Sequence, residues 1–247
     1  MRRFTDLRAV RRPAIGSGSL ASPVSSPPMS NSASSAPNEP APTHASTSGA
    51  LDASHTPNNA KRLFLIRHGE TEWSLSGRHT SRTDIPLTAE GERRAALLAP
   101  VFAQHPFGLV LTSPRTRAVR TCELAGLLPN ALQVDELREW DYGDYEGRTT
   151  ATIRETDPSW NLFQDGVPNG ETVEDVAARA RHVIDRALAV PGDVALFSHG
   201  HMLRVLAATW LRLAPEDGER FYLETGTVSI LGFERETRVI RMWNGRA

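Results

Sequence analysis

The chain has 247 residues, 39% of them hydrophobic and 23% charged, a composition suited to a globular protein of one or two domains and not to a fibrous or collagen-like one. No run approaches the roughly 18 to 20 uncharged apolar residues that cross a bilayer, so no membrane partner is expected. A formal net charge of -1 leaves no basic face for nucleic acid, and a single cysteine, Cys122, permits neither an intrachain disulfide nor a cysteine-based zinc site.

Residues 1–60 contain 12 Ser and 8 Pro, and Phe4 is their only aromatic. A segment so poor in large apolar side chains cannot offset its ordering entropy, so a disordered Ser/Pro/Ala-rich extension is expected there. Its first dozen residues carry Arg2, Arg3, Arg8, Arg11 and Arg12 against Asp6, a composition shared with organellar transit peptides and also with an extension upstream of a downstream start. No apolar stretch follows to make a secretory signal. With one cysteine that suits a reducing compartment, the expected location is the cytoplasm.

From Lys61 to Ala247 short apolar runs alternate with helical patterns, the form of a mostly parallel sheet covered by helices on both faces. Leu63–Ile66 is too short for a helix and reads as a buried central strand. Thr88 predicts an N-cap, with Glu90 and Glu92 in the first turn of a helix reaching about Gln104. Gly108–Thr112 is the second strand. Ser113 and Pro114 then read as N-cap and first residue of a helix to about Leu128. A third strand is expected near Leu132–Val134. Thr172 with Asp175 predicts a capping-box helix to about Ala189, followed by a strand at Val194–Phe197 and a helix over His201–Leu213. Thr227–Phe233 and Arg238–Trp243 predict a hairpin at the margin of the sheet. The expected class is α/β, a three-layer α/β/α sandwich around a mostly parallel sheet with an antiparallel edge.

In an open parallel sheet ligands bind beyond the carboxyl ends of the strands. Here three strands end in Arg67-His68-Gly69-Glu70-Thr71, in Ser113-Pro114-Arg115-Thr116-Arg117 and in Ser198-His199-Gly200-His201. Arginines and histidines gathered at one edge make a cationic pocket, whose natural guest is a phosphate. An unprotonated imidazole can attack phosphorus when its other N–H is held by a carbonyl, and forked guanidinium groups can take the charge on the equatorial oxygens. A second, protonated imidazole at His199 would add to that charge, and a nearby carboxyl could supply a proton to the leaving oxygen. Among the acids of the intervening loop, Glu136, Glu139, Asp141 and Asp144 are all candidates for that role. The chemistry needs no metal and no cofactor, because arginines replace the cation and no acidic cluster is spaced like a magnesium site.

Leu65-Ile66-Arg67-His68-Gly69-Glu70-Thr71, Ser113-Pro114-Arg115-Thr116-Arg117-Ala118, Leu137-Arg138-Glu139 and Ser198-His199-Gly200 resemble, in order, the four signatures of the histidine phosphatase (phosphoglycerate mutase-like) superfamily. The resemblance covers about Lys61 to Trp243 and implies that family's fold. It implies His68 as phosphoacceptor, Arg67, Arg117 and His199 as the phosphate clamp, and Glu139 as proton donor. Ser74 stands where the family signature has Asn, and Thr80 and Tyr142 match positions lining the family's substrate pocket. Segments around Trp73, Glu139–Gly147, Trp160, Asn169–Thr172 and His199–His201 resemble the sedoheptulose 1,7-bisphosphatase-like branch. That likeness implies a small phosphorylated sugar as substrate, with Arg115, Gly200 and His201 added to the binding set and Arg115 directed to the distal phosphate.

A hydrolase is therefore expected, with a mutase and an inactive phospho-ligand-binding module as the alternatives. The 60 positions separating Glu139 from His199 are fewer than the lid-bearing insertion of the cofactor-dependent mutases takes. Of the aromatics Trp140, Tyr142, Tyr145 and Trp160, at least two are expected to pack. Cys122 is expected to be a small buried apolar residue, and His79, His105 and His182, outside any motif, to be ordinary exposed or capping residues.

Overall fold

The computed structural model describes residues 61–246. The expectation for residues 1–60 lies outside that range. The described chain builds one six-stranded sheet from β1 (Leu63–Arg67), β2 (Phe107–Thr112), β3 (Ala131–Gln133), β4 (Asp193–Ser198), β5 (Val228–Glu234) and β6 (Thr237–Gly245), in the order β3-β2-β4-β1-β5-β6. The first four strands are mutually parallel, while β5 runs antiparallel to β1 and β6 antiparallel to β5. The antiparallel edge thus comprises two strands, the predicted hairpin, instead of one.

Strand alternation divides the core into the two packed halves of a three-layer sandwich. Leu63 and Leu65 of β1 and Val194 and Leu196 of β4 pack into the cluster formed with α7 (Val173–Leu188) and α8 (Gly200–Trp210). Phe64, Ile66, Ala195 and Phe197 face the opposite cluster, with Leu98, Phe102 and Cys122. That second layer comes from α2 (Ala89–Ala96), α3 (Leu98–Phe102) and α4 (Thr116–Leu124). Burying a residue such as Leu196 or Phe197 contributes about 1.5–3 kcal/mol, which is why Val194–Phe197 of β4 is apolar on both faces. Shorter helices α1 (Glu72–Leu75), α5 (Thr150–Arg154) and α6 (Leu162–Asp165) lie in the segments around the strand ends.

Three of the predicted helices differ in their bounds from the sequence reading. The predicted helix from Thr88 is capped as expected, Thr88 Oγ1 accepting from Gly91 N, but it breaks at Leu97 into α2 and α3. Pro100 lacks the N–H that would bond the carbonyl four residues back, so the chain cannot continue as one helix. α4 begins at Thr116, not Pro114, because Asp84 Oδ1 accepts from Thr116 N (3.0 Å) while the Ser113 hydroxyl is engaged elsewhere. It stops at Leu124, where Gly126 (φ 78°) lets Leu127 N close back on Cys122 O. α8 ends at Trp210 in a similar turn, with Arg212 at φ 60° and Leu213 N bonded to Ala208 O.

The register of the sheet sets up the site. Arg67 is level with Ser198 and Thr112 with Phe197, so the residues immediately following β1, β2 and β4 emerge side by side at one edge.

Candidate active site

His68 follows β1 directly, its backbone N–H bonded to Ser198 O at 2.9 Å. Its Nδ1 lies 2.7 Å from Gly69 O, so Nδ1 carries the hydrogen and Nε2 keeps the lone pair. Burial, then the positive charges of Arg117 and Arg67, hold the imidazole well below the usual histidine pKa. It is therefore a neutral base at pH 7. The loop carrying it is pressed against α2: a Cβ on Gly69 would lie 2.6 Å from Gly91 O, and one on Gly91 2.3 Å from Glu70 O. Only glycine fits at both positions of that crossing.

Arg67 and Arg117 come from different elements, the end of β1 and the first turn of α4. Arg67 donates through Nη1 to Leu223 O, while its buried Nε has no hydrogen-bond partner among the described residues. A buried donor left unpaired costs about 1–3 kcal/mol, a cost that an oxyanion at this position would remove. Arg117, wholly buried in the first turn of α4, is braced by Thr83 O (3.2 Å), Thr80 O (3.1 Å) and His199 Nδ1 (3.2 Å).

His199 follows β4, and its ring centroid stands 5.1 Å from that of His68. The expectation of a protonated imidazole here is overturned. Nδ1 accepts from Arg117 Nε and Nε2 donates to Ser113 Oγ at 2.8 Å, a pairing that only the neutral tautomer satisfies. Burial, then Arg117, also holds its pKa well below the usual value. The same contact explains why Ser113 is not the α4 cap.

Glu139 is buried, its Oε1 accepting from Trp140 N (2.9 Å) and Met202 N (2.8 Å) and its Oε2 from His201 N (3.1 Å). The amides at the start of α8 thus fix the carboxyl group, and Oε2 keeps the greater free acceptor capacity. Tyr142 OH lies 2.6 Å from His201 Nδ1; burial raises the tyrosine well above its usual pKa and holds the histidine well below its own, so the phenol donates to a neutral ring.

A cavity of about 230 Å3 opens at this edge, lined by Arg67, His68, Ser74, Thr80, Glu139, Tyr142, Gly200 and His201 among the residues nominated from sequence. Arg117 and His199 are wholly buried and are not among its lining residues. Arg115 lines a smaller cavity of about 80 Å3, with Arg82 and Arg179, that adjoins the first at Glu139. The Ser74 hydroxyl is occupied: it donates to Thr71 O (2.8 Å) and accepts from Thr71 N (2.9 Å) in the capping box of α1. Its single hydrogen is spent on the cap, as the Thr80 hydroxyl's is on Arg78 O (3.0 Å).

The sequence reading missed Arg78, His79, Thr150, Arg204 and Tyr222, all of which line the cavity. His79 is buried, not exposed, its ring centroid 4.7 Å from that of Tyr142, and burial lowers its pKa to about 4. His105 pairs with Asp193 (2.9 Å), while His182 is exposed as expected. Trp140 and Trp160 are packed, and Cys122 is buried in the core with its thiol pKa pushed up to about 12. Among the described residues no group of three or more His, Cys, Asp or Glu side chains is arranged to hold a metal ion.

The profile of the histidine phosphatase superfamily (branch 1) matches residues 63–246, almost the whole described chain. The chain belongs to this superfamily. An acid phosphatase of Mycobacterium tuberculosis is 41% identical over 181 residues, covering 72% of this chain and 89% of that protein. Sedoheptulose 1,7-bisphosphatase of Saccharomyces cerevisiae is 36% identical over 190 residues, covering 64% of this chain and 70% of that protein. A solved mycobacterial glucosyl-3-phosphoglycerate phosphatase, in complex with VO3, superposes with a TM-score of 0.68 at 26% identity, covering 75% of this chain and all of that one. The protein is a histidine-type phosphatase, an α/β enzyme whose described residues include no helix long and apolar enough to cross a membrane.

Proposed function

We propose that the protein is a metal-independent phosphomonoesterase working through a phosphohistidine on His68, and that its substrate is a small sugar phosphate or bisphosphate. The observation that carries this reading is the His68 Nδ1 contact with Gly69 O, which orients the neutral ring so that Nε2 is the nucleophilic nitrogen. In the first half-reaction the Nε2 lone pair forms an N–P bond as the P–O ester bond breaks. A proton from the Glu139 carboxyl goes to the departing oxygen. In the second, the Glu139 carboxylate takes a proton from water as the water oxygen attacks phosphorus. The N–P bond then breaks, its electron pair returning to Nε2, and inorganic phosphate leaves.

Throughout both steps the guanidinium groups of Arg67 and Arg117 hold the equatorial oxygens, with the unpartnered Nε of Arg67 preset for one of them. Neutral His199 contributes position: it fixes Arg117 Nε and orients Ser113. The substrate class is supported by the likeness to the yeast sugar bisphosphatase and by a cavity whose polar lining suits a hydroxylated ligand. A cytoplasmic site of action accords with the single buried cysteine.

The reading is tested by phosphate release in EDTA from fructose 1,6-bisphosphate, sedoheptulose 1,7-bisphosphate, 3-phosphoglycerate and p-nitrophenyl phosphate, with the His68→Ala protein alongside. Release that ignores EDTA, requires His68 and favours a sugar bisphosphate is expected. Release that EDTA abolishes, or that survives His68→Ala, overturns the mechanism.

A further inference from the structure

The segment 222–227, which leads into β5, is bonded to both His68 and Arg67. Leu223 O accepts from Arg67 Nη1, the one side-chain hydrogen bond that Arg67 makes among the described residues. Gly226 N donates to His68 O (3.0 Å) and to Arg67 O (3.2 Å). The segment belongs to no helix or strand, so no ladder of backbone bonds fixes its carbonyls. Burial of Leu223 anchors it, but apolar contact has no direction and does not aim a carbonyl. Direction comes from Asn244 of β6. Its Oδ1 accepts from Glu224 N (2.9 Å) and from the Thr227 hydroxyl (3.1 Å), and its Nδ2 donates to Tyr222 O (2.8 Å). Trp243 Nε1 adds a second donor to Tyr222 O (2.6 Å).

The backbone at Asn244 turns its side chain to this task. Val228 is level with Gly245 and Ile230 with Met242, so Trp243 and Asn244 of β6 together oppose Ser229 of β5 in a bulge. Asn244 takes φ 56° there. Glycine would adopt that angle without strain but has no side chain, and most other residues resist it. Asparagine meets both needs.

We propose that Asn244 is a positioning residue for the phosphate clamp: by tying Tyr222, Glu224 and Thr227 together it aims Leu223 O at Arg67 and so sets the guanidinium that receives the phosphoryl oxygens. The proposal rests on the phosphatase reading of His68 and Arg67, and adds a residue that hydrogen-bonds to neither. Gly200 also abuts the guanidinium, where a Cβ would lie 3.3 Å from Cζ, but that contact limits approach without supplying an acceptor. Once the segment is released, Leu223 O no longer fixes the rotation of Arg67 about its side chain. A displacement of about 1 Å at such a group costs up to about 10^2-fold in rate.

A double-mutant cycle on the full-length protein tests the proposal, with calorimetric binding of orthovanadate as the readout because it presents oxygens to the clamp without needing turnover. Asn244→Gly removes every side-chain bond of Asn244 while keeping its backbone angle free of strain. It is expected to weaken orthovanadate binding by about tenfold in the wild-type background and by less than about twofold when Arg67 is already replaced by Ala, since the anchor then has nothing left to aim. Asn244→Asp keeps the Oδ1 acceptor and loses only the donation to Tyr222 O, so its loss should be smaller, about threefold, and should vanish in the same way. If Asn244→Gly does not fold, the cycle is read from Asn244→Asp. Equal losses in the two Arg67 backgrounds, or undiminished binding in the Asn244 variants, overturn the proposal. Failure of the phosphatase reading appears separately, as wild-type protein that releases no phosphate while the Asn244–Arg67 coupling persists.

Discussion

At the scale of single residues, the site separates nucleophile, clamp and acid cleanly enough for each to be tested. Replacing His68 by Ala removes the attacking nitrogen, and turnover should fall by about 10^4-fold or more, as it does when a covalent nucleophile is deleted. Glu139→Gln should lower kcat/KM, which reports the first half-reaction, by about 10^2- to 10^3-fold for a sugar phosphate but far less for p-nitrophenyl phosphate, because nitrophenolate leaves without a proton. Equal losses on the two substrates would remove Glu139 from the acid role. Burial and two guanidinium charges hold His68 well below its usual pKa, so protonation of the nucleophile begins only well below pH 6.5. The acid limb of kcat/KM for p-nitrophenyl phosphate should therefore lie below that value, and a limb centred at 6.5 would show an ordinary, solvated imidazole.

Elements place these residues, and the loop after β1 is the part with the least freedom. Gly69→Ala puts a methyl 2.6 Å from Gly91 O, so the loop or α2 must move. Such a clash typically costs about 1–3 kcal/mol, and kcat should fall with it because His68 is the adjacent residue. A variant with native melting temperature and native kcat would contradict the crossing described here. The same elements show what could be read from sequence. The Thr172–Asp175 capping box, the buried strands and the residues at the strand ends are local patterns, and each was legible. Ser113 was misread as a cap because its real partner, His199, and the real cap, Asp84, are both distant in sequence. His79 carries no motif, and its burial comes from Tyr142, Trp160 and His201, three residues brought in from other segments. Pro100, by contrast, was visible, and only the strength of the surrounding helical pattern masked the break.

For the molecule as a whole, the concentration of neutral histidines beneath one sheet edge couples folding to pH. His68, His79, His199 and His201 all have lowered pKa values in the folded state, chiefly through burial. The unfolded chain binds protons on these rings near pH 6.5, whereas the folded chain does not, so stability is full above that pH and declines below it. Each ring contributes up to about 1.4 kcal/mol per pH unit of that decline, in the case of His79 from about 6.5 down to about 4. Melting temperature should fall steadily on acidification through this window, and His79→Gln should make the slope shallower. An unchanged slope would mean that His79 is protonated in the folded protein. Family membership, fold and the cluster of His68, Arg67, Arg117 and His199 were thus within reach of the sequence. The charge state of His199 and the hold of Asn244 on the segment before β5 arise from packing between distant segments and needed the structure.

Passage of the phosphoryl group through Nε2 of His68 is the step on which the proposed chemistry turns. Mixing the enzyme with radiolabelled substrate, quenching in alkali, where phosphohistidine survives, and mapping the label by mass spectrometry addresses it directly. Acid-labile phosphate is expected on His68 alone, formed at least as fast as steady-state turnover and absent from the His68→Ala protein. Steady hydrolysis of labelled p-nitrophenyl phosphate with no labelled protein, even when water attack on the phosphohistidine is slowed by Glu139→Gln, or label on another residue, would contradict it.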